Sequence, residues 1–238
     1  MELWRSLFMN EFIASLQENL SYVGVLMPSL LMGAWYTVKL FFVTLVLSLP
    51  LGLPFALGGN SRFRVFRFIS KTYIWIFRGT PLLLQLFFFY FFIPITFGIR
   101  FSPFTTAALT FVLNYAAYFA EIYRGGINSI DKGQYEAAHS LGLSRSQTTF
   151  GIILPQTMKC VLPPVSNEAI VLIKDTALVS VMGVADLMKA ATSAVNRDVS
   201  SLAYLVAAVI YLIFTFLLTL LSNYLERRFS KYDAKEEW

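Results

Sequence analysis

The chain lacks most of what a water-soluble domain of its length carries. Charged residues make up only 14% of its 238 positions, against 57% hydrophobic and 16% aromatic. That balance excludes an ordinary soluble globule and points to the bilayer as solvent. Cysteine occurs once, at Cys160, so neither an intrachain disulfide nor a thiolate metal cluster can form. Histidine also occurs once, at His139, which leaves no basis for a metal site or a histidine-based catalytic group. No G-x-x-x-x-G-K-[ST] run is present, and no nucleophile–base pairing shows, so an enzyme is the weakest expectation. With no Gly/Ser linker and no low-complexity tract, a single membrane domain is expected.

What the chain does have is long uncharged runs. They extend over Leu40–Ser61, Gly79–Ile99, Phe101–Ala120 and Val199–Leu225, each long enough to cross a hydrocarbon core that needs about 20 residues. A further span is expected within Cys160–Val184, where Glu168, Lys174 and Asp175 interrupt the apolar sequence. Such runs lack the alternation of a barrel strand, so the expected fold is all-α, a polytopic membrane protein with five transmembrane helices.

The net charge of +5 is distributed by loop. Arg62, Arg64, Arg67 and Lys71 follow the first span, and Arg124, Lys132, Arg145 and Lys159 follow the third. Arg227, Arg228, Lys231 and Lys235 follow the fifth, whereas Arg100 stands alone after the second. The positive-inside bias places the basic segments in the cytoplasm, with the N-terminus outside and the C-terminus inside. Basic residues used this way, with no recognisable module, argue against a nucleic-acid partner. Residues 1–28 contain Glu2, Glu11 and Glu18 and lack the layout of a cleavable signal. They are expected to form an external amphipathic helix or a loosely ordered tail. The membrane domain then covers 29–228, and 229–238 are a cytoplasmic tail.

A few polar residues fall inside the spans. The first span is expected from Ser29 to Gly58, bent by Pro50 and Pro54, with Lys39 either snorkelling or facing a polar interior. In the second, Gly79 and Pro81 disturb the backbone ladder beside Thr80 and Gln85. Those two side chains bond either a ligand or a neighbouring helix. The third, Pro103 to Tyr123, carries Asn114 and Glu121, and Glu121 is expected to pair with Arg124 or Arg78. Glu168 and Asp175 are seven residues apart, hence on one helical face and about 10.5 Å apart along the axis. Each costs about 2.5 to 3.5 kcal/mol at mid-bilayer, so the pair calls for water, a cation, or an internal partner such as Lys174 or Lys39. The aromatic run Phe87–Phe92 is expected to pack rather than to cage a cation.

The stretch Gly133–Gln156 is polar where the rest is apolar. Tyr135, Ala138 and Leu141 recur at helical spacing, and Gly142 is a natural helix end. Ser144 can cap a second helix, Arg145 to Ile153, which Pro155 is expected to stop. Two short helices at an angle make a knob. Ala137 and Ala138 are small enough for another protein to approach closely, and Glu136 and Arg145 supply orienting charge. On composition alone, a hairpin that merely caps the bundle is the stronger alternative.

The order Glu136-Ala137-Ala138, three residues, Gly142, nine residues, Ile152, one residue, Leu154-Pro155 resembles the EAA loop of ABC importer permeases at every fixed position. Arg78-Gly79-Thr80-Pro81 with Gln85, the run Ala120 to Gly126, Pro163-Pro164 with Asn167-Glu168, and the run Lys174 to Ser180 are similar to signature stretches of the polar amino-acid branch. Ala177 stands where many relatives have serine. The resemblance implies a type I importer transmembrane domain in a bacterial cytoplasmic membrane, paired with a second permease subunit, identical or homologous. It implies two ATP-binding subunits that hold ATP and Mg, an external substrate-binding protein, and no cofactor in this chain. It implies that Glu136, Ala137, Ala138, Gly142, Leu143, Arg145 and Pro155 dock into the ATP-binding subunit. Glu168 and Asp175 would receive the ammonium or cationic side chain of an amino acid, with Thr80, Gln85 and Asn167 as further substrate contacts. The expected substrate is arginine, lysine, histidine, glutamine or cystine. A permease for methionine or a betaine, or an ATPase-independent channel, is the alternative.

Overall fold

The computed structural model describes the backbone of residues 2–229 and the side chains from 17 onward. The polar and apolar faces expected before residue 17, and the tail beyond Phe229, lie outside the described residues. The chain is helical: α1 (Glu2–Gly59), α2 (Arg64–Gly79), α3 (Leu82–Phe87), α4 (Ile93–Phe97), α5 (Pro103–Asn128), α6 (Lys132–Ser140), α7 (Arg145–Thr148), α8 (Leu154–Asp175), α9 (Leu187–Asp198) and α10 (Leu202–Phe229). Wider π turns at Phe88–Phe92 and Thr149–Ile153 join α3 to α4 and α7 to α8, and a 3₁₀ segment, Thr176–Met182, follows α8. No strand occurs among the described residues.

Two helical stretches, Gln17–Gly59 and Leu202–Phe229, are long and apolar enough to cross a membrane outright. Their large side chains face outward: Trp35, Phe42 and Val46 on α1, and Leu212, Phe216 and Leu220 on α10, are all exposed. An apolar surface of that extent suits a lipid boundary. α1 keeps Pro28, Pro50 and Pro54 inside one continuous helix and passes through the expected start at Ser29 without a break.

The central helix is α5. Its rings Phe111, Tyr115 and Phe119 are buried against Leu40 and Phe41 of α1 and Leu172 and Ile173 of α8. A second core joins Leu26, Leu30 and Ala34 of α1 to Leu187, Ala191 and Ala194 of α9 and to Ala203, Ala207 and Ile210 of α10. Gly33 lets α1 approach the start of α9: a Cβ there would stand 2.7 Å from the Asp186 carbonyl oxygen.

Three expectations are corrected. The second span, expected to start close to Ser70 and to run past Pro81, is not straight, because Arg64–Gly79 and Leu82–Phe97 meet at a bend of 104° across Thr80 and Pro81. Pro155 does not stop a helix. The chain runs on helically from Arg145 through Pro155 to Asp175, and the wider π turn Thr149–Ile153 just before it, in which the Leu154 amide reaches back to Thr149 O, takes up a proline inside a continuing helix. Finally, the sequence reading passed over α9, whose capping residue Asp186 accepts from the Met188 and Lys189 amides at 3.1 and 3.0 Å.

Candidate functional site

The break between α2 and α3 builds the site. Pro81 disfavours helical geometry at Thr80, which is extended at φ −118°, ψ 143°. The carbonyls left unpaired at the end of α2 are collected by two buried amides. Gln85 Nε2 donates to Phe77 O (2.9 Å), Thr80 O (3.1 Å) and Thr80 Oγ1 (2.8 Å). Asn114 Nδ2 donates to Phe77 O (3.1 Å) and to Gln85 Oε1 (2.9 Å), which pins the break to α5. Gln85 is therefore fully committed within the bundle and fits the helix-bonding alternative. Thr80 spends its own proton on Ile76 O at 2.8 Å, so it has none to give to a ligand without breaking that bond.

Below the break lies a cavity of about 590 Å³ with Arg78, Thr80, Asn114, Tyr115, Tyr118, Glu168 and Asp175 on its walls. Glu168 and Asp175 share one side of α8, as their spacing requires, and both are half-buried. Tyr115 Oη donates to Asp175 Oδ2 at 2.8 Å, leaving Oδ1 open. Neither acid has an ion-pair partner among the described residues. Lys174 is exposed, and Lys39 Nζ sits over the Phe104 ring, 4.9 Å from its centroid. The internal pairs with Lys174 or Lys39 are absent. Asn167 is exposed and off this cavity, because one residue turns it about 100° from Glu168.

Arg78 faces the acids across the cavity. Its guanidinium lies over the Tyr118 ring, 5.4 Å from the centroid, and 3.7 Å from Glu121, a separation too long for a hydrogen bond. Glu121 is taken instead by Arg124, through Nε at 3.0 Å and through Nη2. A second cavity, about 560 Å³, is lined by Lys71, Trp75, Arg78, Tyr118, Glu121 and Arg124. Arg78, Tyr115 and Tyr118 are site residues that sequence reasoning missed, the tyrosines because they sit inside an otherwise apolar run.

The knob is built as its caps dictate. Gly142 takes φ +71°, and the Leu143 amide closes onto Ala138 O at 3.1 Å, ending α6. Ser144 and Gln147 bond each other's backbone amides at 3.3 and 2.9 Å, a capping box that starts α7. Glu136, Ala137, Gly142, Arg145 and Pro155 are exposed, and Leu143 is half-buried. Ala138, at 1% exposure, packs inward; it lets the knob close on its own chain rather than offering surface to another protein. Leu141 (77% exposed) and Phe150 (68%) project from this polar segment, an apolar pair overlooked in the sequence. The rings of Phe87–Phe92 pack on one another, Phe88 stacked on Phe92 at 4.8 Å and the other pairs tilted or edge-on, and no cation lies over them among the described residues.

Residues 48–231 match the family described as binding-protein-dependent transport system inner membrane component. The chain belongs to that family. The permease is 40% identical over 210 residues to the L-cystine transport system permease protein TcyB of Bacillus subtilis, covering 87% of this chain and 89% of that protein. It is 39% identical over 207 residues to the arginine transport system permease protein ArtQ of the same organism, covering 87% and 94%. It is 37% identical over 198 residues to a putative glutamine transport system permease protein GlnP of Rickettsia conorii, covering 82% and 90%. A crystal structure titled as an amino acid ABC transporter with histidines superposes at a TM-score of 0.82 and 36% identity, over 88% of the permease and 97% of that chain. The inward-facing MetNI methionine ABC transporter shares the fold at a TM-score of 0.73 and 19% identity, over 85% and 97%.

Proposed function

We propose that the permease is the membrane subunit of an ATP-driven importer for a polar or basic amino acid, which crosses through the cavity at the α2–α3 break. The observation that carries this reading is one cavity with two carboxylates that have no ion-pair partner among the described residues on one wall and, on the other, the Arg78 guanidinium, whose one ion-pair contact is the 3.7 Å approach to Glu121. An amino acid presents the complementary charges at its own two ends. Its ammonium, or a cationic side chain, bonds Glu168 and the open oxygen of Asp175, and its carboxylate bonds Arg78. Three relatives named for cystine, arginine and glutamine transport support that substrate class.

The chain crosses the membrane five times, with α1 entering from outside, α2 to α4 together as the second crossing, then α5, α8 and α10, which leaves the C-terminus in the cytoplasm. ATP and Mg bind two separate subunits, a second permease completes the pathway, and an external binding protein delivers the substrate. The knob from Glu136 to Pro155 docks on an ATP-binding subunit, with Leu141 and Phe150 as the apolar contacts and Glu136 and Arg145 as the charged ones. ATP binding shifts the bundle between outward-open and inward-open states through contacts made in only one of them.

Reconstitution with the ATP-binding subunit and the binding protein tests this reading. A panel of amino acids is expected to stimulate ATP hydrolysis selectively, and Glu136→Lys is expected to abolish the stimulation. Equal ATPase rates across the whole panel, or a permease that forms no complex with any ATPase, would refute it.

A further inference from the structure

The cavity on the knob side of the substrate cavity has no role in the reading above, and its chemistry is the reverse of its neighbour's. Along α5 the walls follow in order: Asn114 and Tyr115 on the acidic cavity, Tyr118 on both, then Glu121 and Arg124 on the second. Ten residues from Asn114 to Arg124 correspond to about 15 Å. The second cavity therefore begins where the first ends, and Arg78 stands in the shared wall.

Three cations, Lys71, Arg78 and Arg124, line this second cavity against one acid, Glu121. Glu121 accepts its hydrogen bonds from Arg124. Arg78 stays beyond hydrogen-bond reach at 3.7 Å, and Lys71 has no ion-pair partner among the described residues. The Arg78 guanidinium and the Lys71 ammonium thus face about 560 Å³ of space with no hydrogen-bonded acceptor of their own among the described residues, beside the Trp75 and Tyr118 rings. Lys71, Trp75 and Arg78 are exposed, so the hollow is open to an incoming ligand; cationic donors there select an oxyanion, and a carboxylate matches the planar fork of Arg78.

We infer that this second cavity is a carboxylate site, distinct from the acid-lined cavity, that receives the amino acid by its carboxylate end on its way to the knob side. The inference rests on the transport reading for its ligand. Arg78 turns from one cavity to the other with the carboxylate attached, while Lys71 and Arg124 repel the ammonium. The site therefore binds carboxylates that have no ammonium group and does not bind amines that have no carboxylate.

Trp75 lies in the lining and supplies the probe. With Trp4, Trp35 and Trp238 replaced by Phe in the assembled complex, N-acetylglycine, a carboxylate without an ammonium, is expected to change Trp75 emission saturably. Lys71→Gln is expected to weaken that binding about fivefold, the loss of roughly 1 kcal/mol from a charge-assisted contact. Lys71→Arg is expected to keep it, and butylamine is expected neither to reproduce nor to compete with the signal. Absence of a saturable change, equal binding in Lys71→Gln, or competition by butylamine overturns the inference. Amino-acid-stimulated ATPase measured on the same preparation reports on the transport reading separately. N-acetylglycine binding without that stimulation upholds this site and sinks the transport reading, and the converse result does the opposite.

Discussion

Asp175→Asn removes one charge from the substrate cavity and changes almost nothing else. The side chain keeps its shape, and Tyr115 can still donate to an amide oxygen at the 2.8 Å position. What is lost is the charge-assisted bond to the substrate ammonium. Such a bond contributes about 1.5 to 3 kcal/mol, and at about 1.36 kcal/mol per tenfold the uptake efficiency should fall roughly 10- to 100-fold. Tyr115→Phe makes a smaller and more telling change. The ring stays packed between Phe111 and Phe119, each 6.2 Å away by centroid, and only the hydroxyl that fixes Asp175 disappears. Loss of one positioning bond is worth about 1 kcal/mol, or about fivefold. Initial uptake rates in proteoliposomes, with binding protein saturating and ATP enclosed with the ATPase, measure both variants, and Asn167→Ala serves as the comparison. Undiminished uptake in Asp175→Asn, or equal damage from Asn167→Ala, would show that the acids of α8 do not hold the substrate.

Gly33→Ala forces a Cβ to within 2.7 Å of Asp186 O and 2.9 Å of Leu187 Cα, both backbone atoms, and strains the 3.2 Å bond from the Leu187 amide to Thr37 Oγ1. Overpacking at about 1 to 3 kcal/mol plus a bond near 1 kcal/mol predicts a clear drop in the thermal transition, whereas Gly24→Ala, with nothing within 4 Å, is expected to be neutral or to gain up to about 1 kcal/mol. Gln85→Leu leaves the Phe77 and Thr80 carbonyls and the Asn114 amide short of partners and should cost about 1 to 3 kcal/mol in the same measurement.

Much of this was legible because lipid leaves long marks. The uncharged runs gave the course of α1 and α10, since a helix in hydrocarbon has no alternative way to satisfy its backbone. The seven-residue interval between Glu168 and Asp175 gave their shared wall, because helical geometry leaves little freedom once the helix itself is certain. Gly142 and Ser144 gave the shape of the knob through capping chemistry that is local in sequence. Other features depended on partners distant in the chain. Gln85 stood open between a ligand and a neighbouring helix until its amide met Asn114, 29 positions away. Ala138 looked like a docking surface because its size was visible and its direction was not. Arg78 looked like a structural cation because Glu121 was the evident partner, yet Arg124 holds Glu121 more closely. Pro155 misled for a different reason: a proline inside a helix need not end it, and here the ladder widens to the π turn Thr149–Ile153 and continues as α8.

That last correction bears on how force reaches the substrate. A helix stopped at Pro155 would leave the knob as a separate piece, tied to the bundle by a flexible joint. In the structure, α7, the π turn and α8 form one continuous element from Arg145 to Asp175, and the acids lie on its far half. The 22 residues of α8 alone span about 33 Å. Displacing the knob therefore displaces Glu168 and Asp175 with it, while Arg78, Asn114 and Tyr118 belong to α2 and α5. The two walls of the cavity ride on different elements, so one movement can part the carboxylates from the guanidinium. Pro163 and Pro164 sit between knob and acids within α8, which stays one helix through them. On the binding mode proposed above, a substrate held at both ends resists that parting, and one released from the acids leaves with its carboxylate still on Arg78. On the proposed transport reading, the differential contact for ATP to exploit is then the distance between the acid wall and the arginine wall.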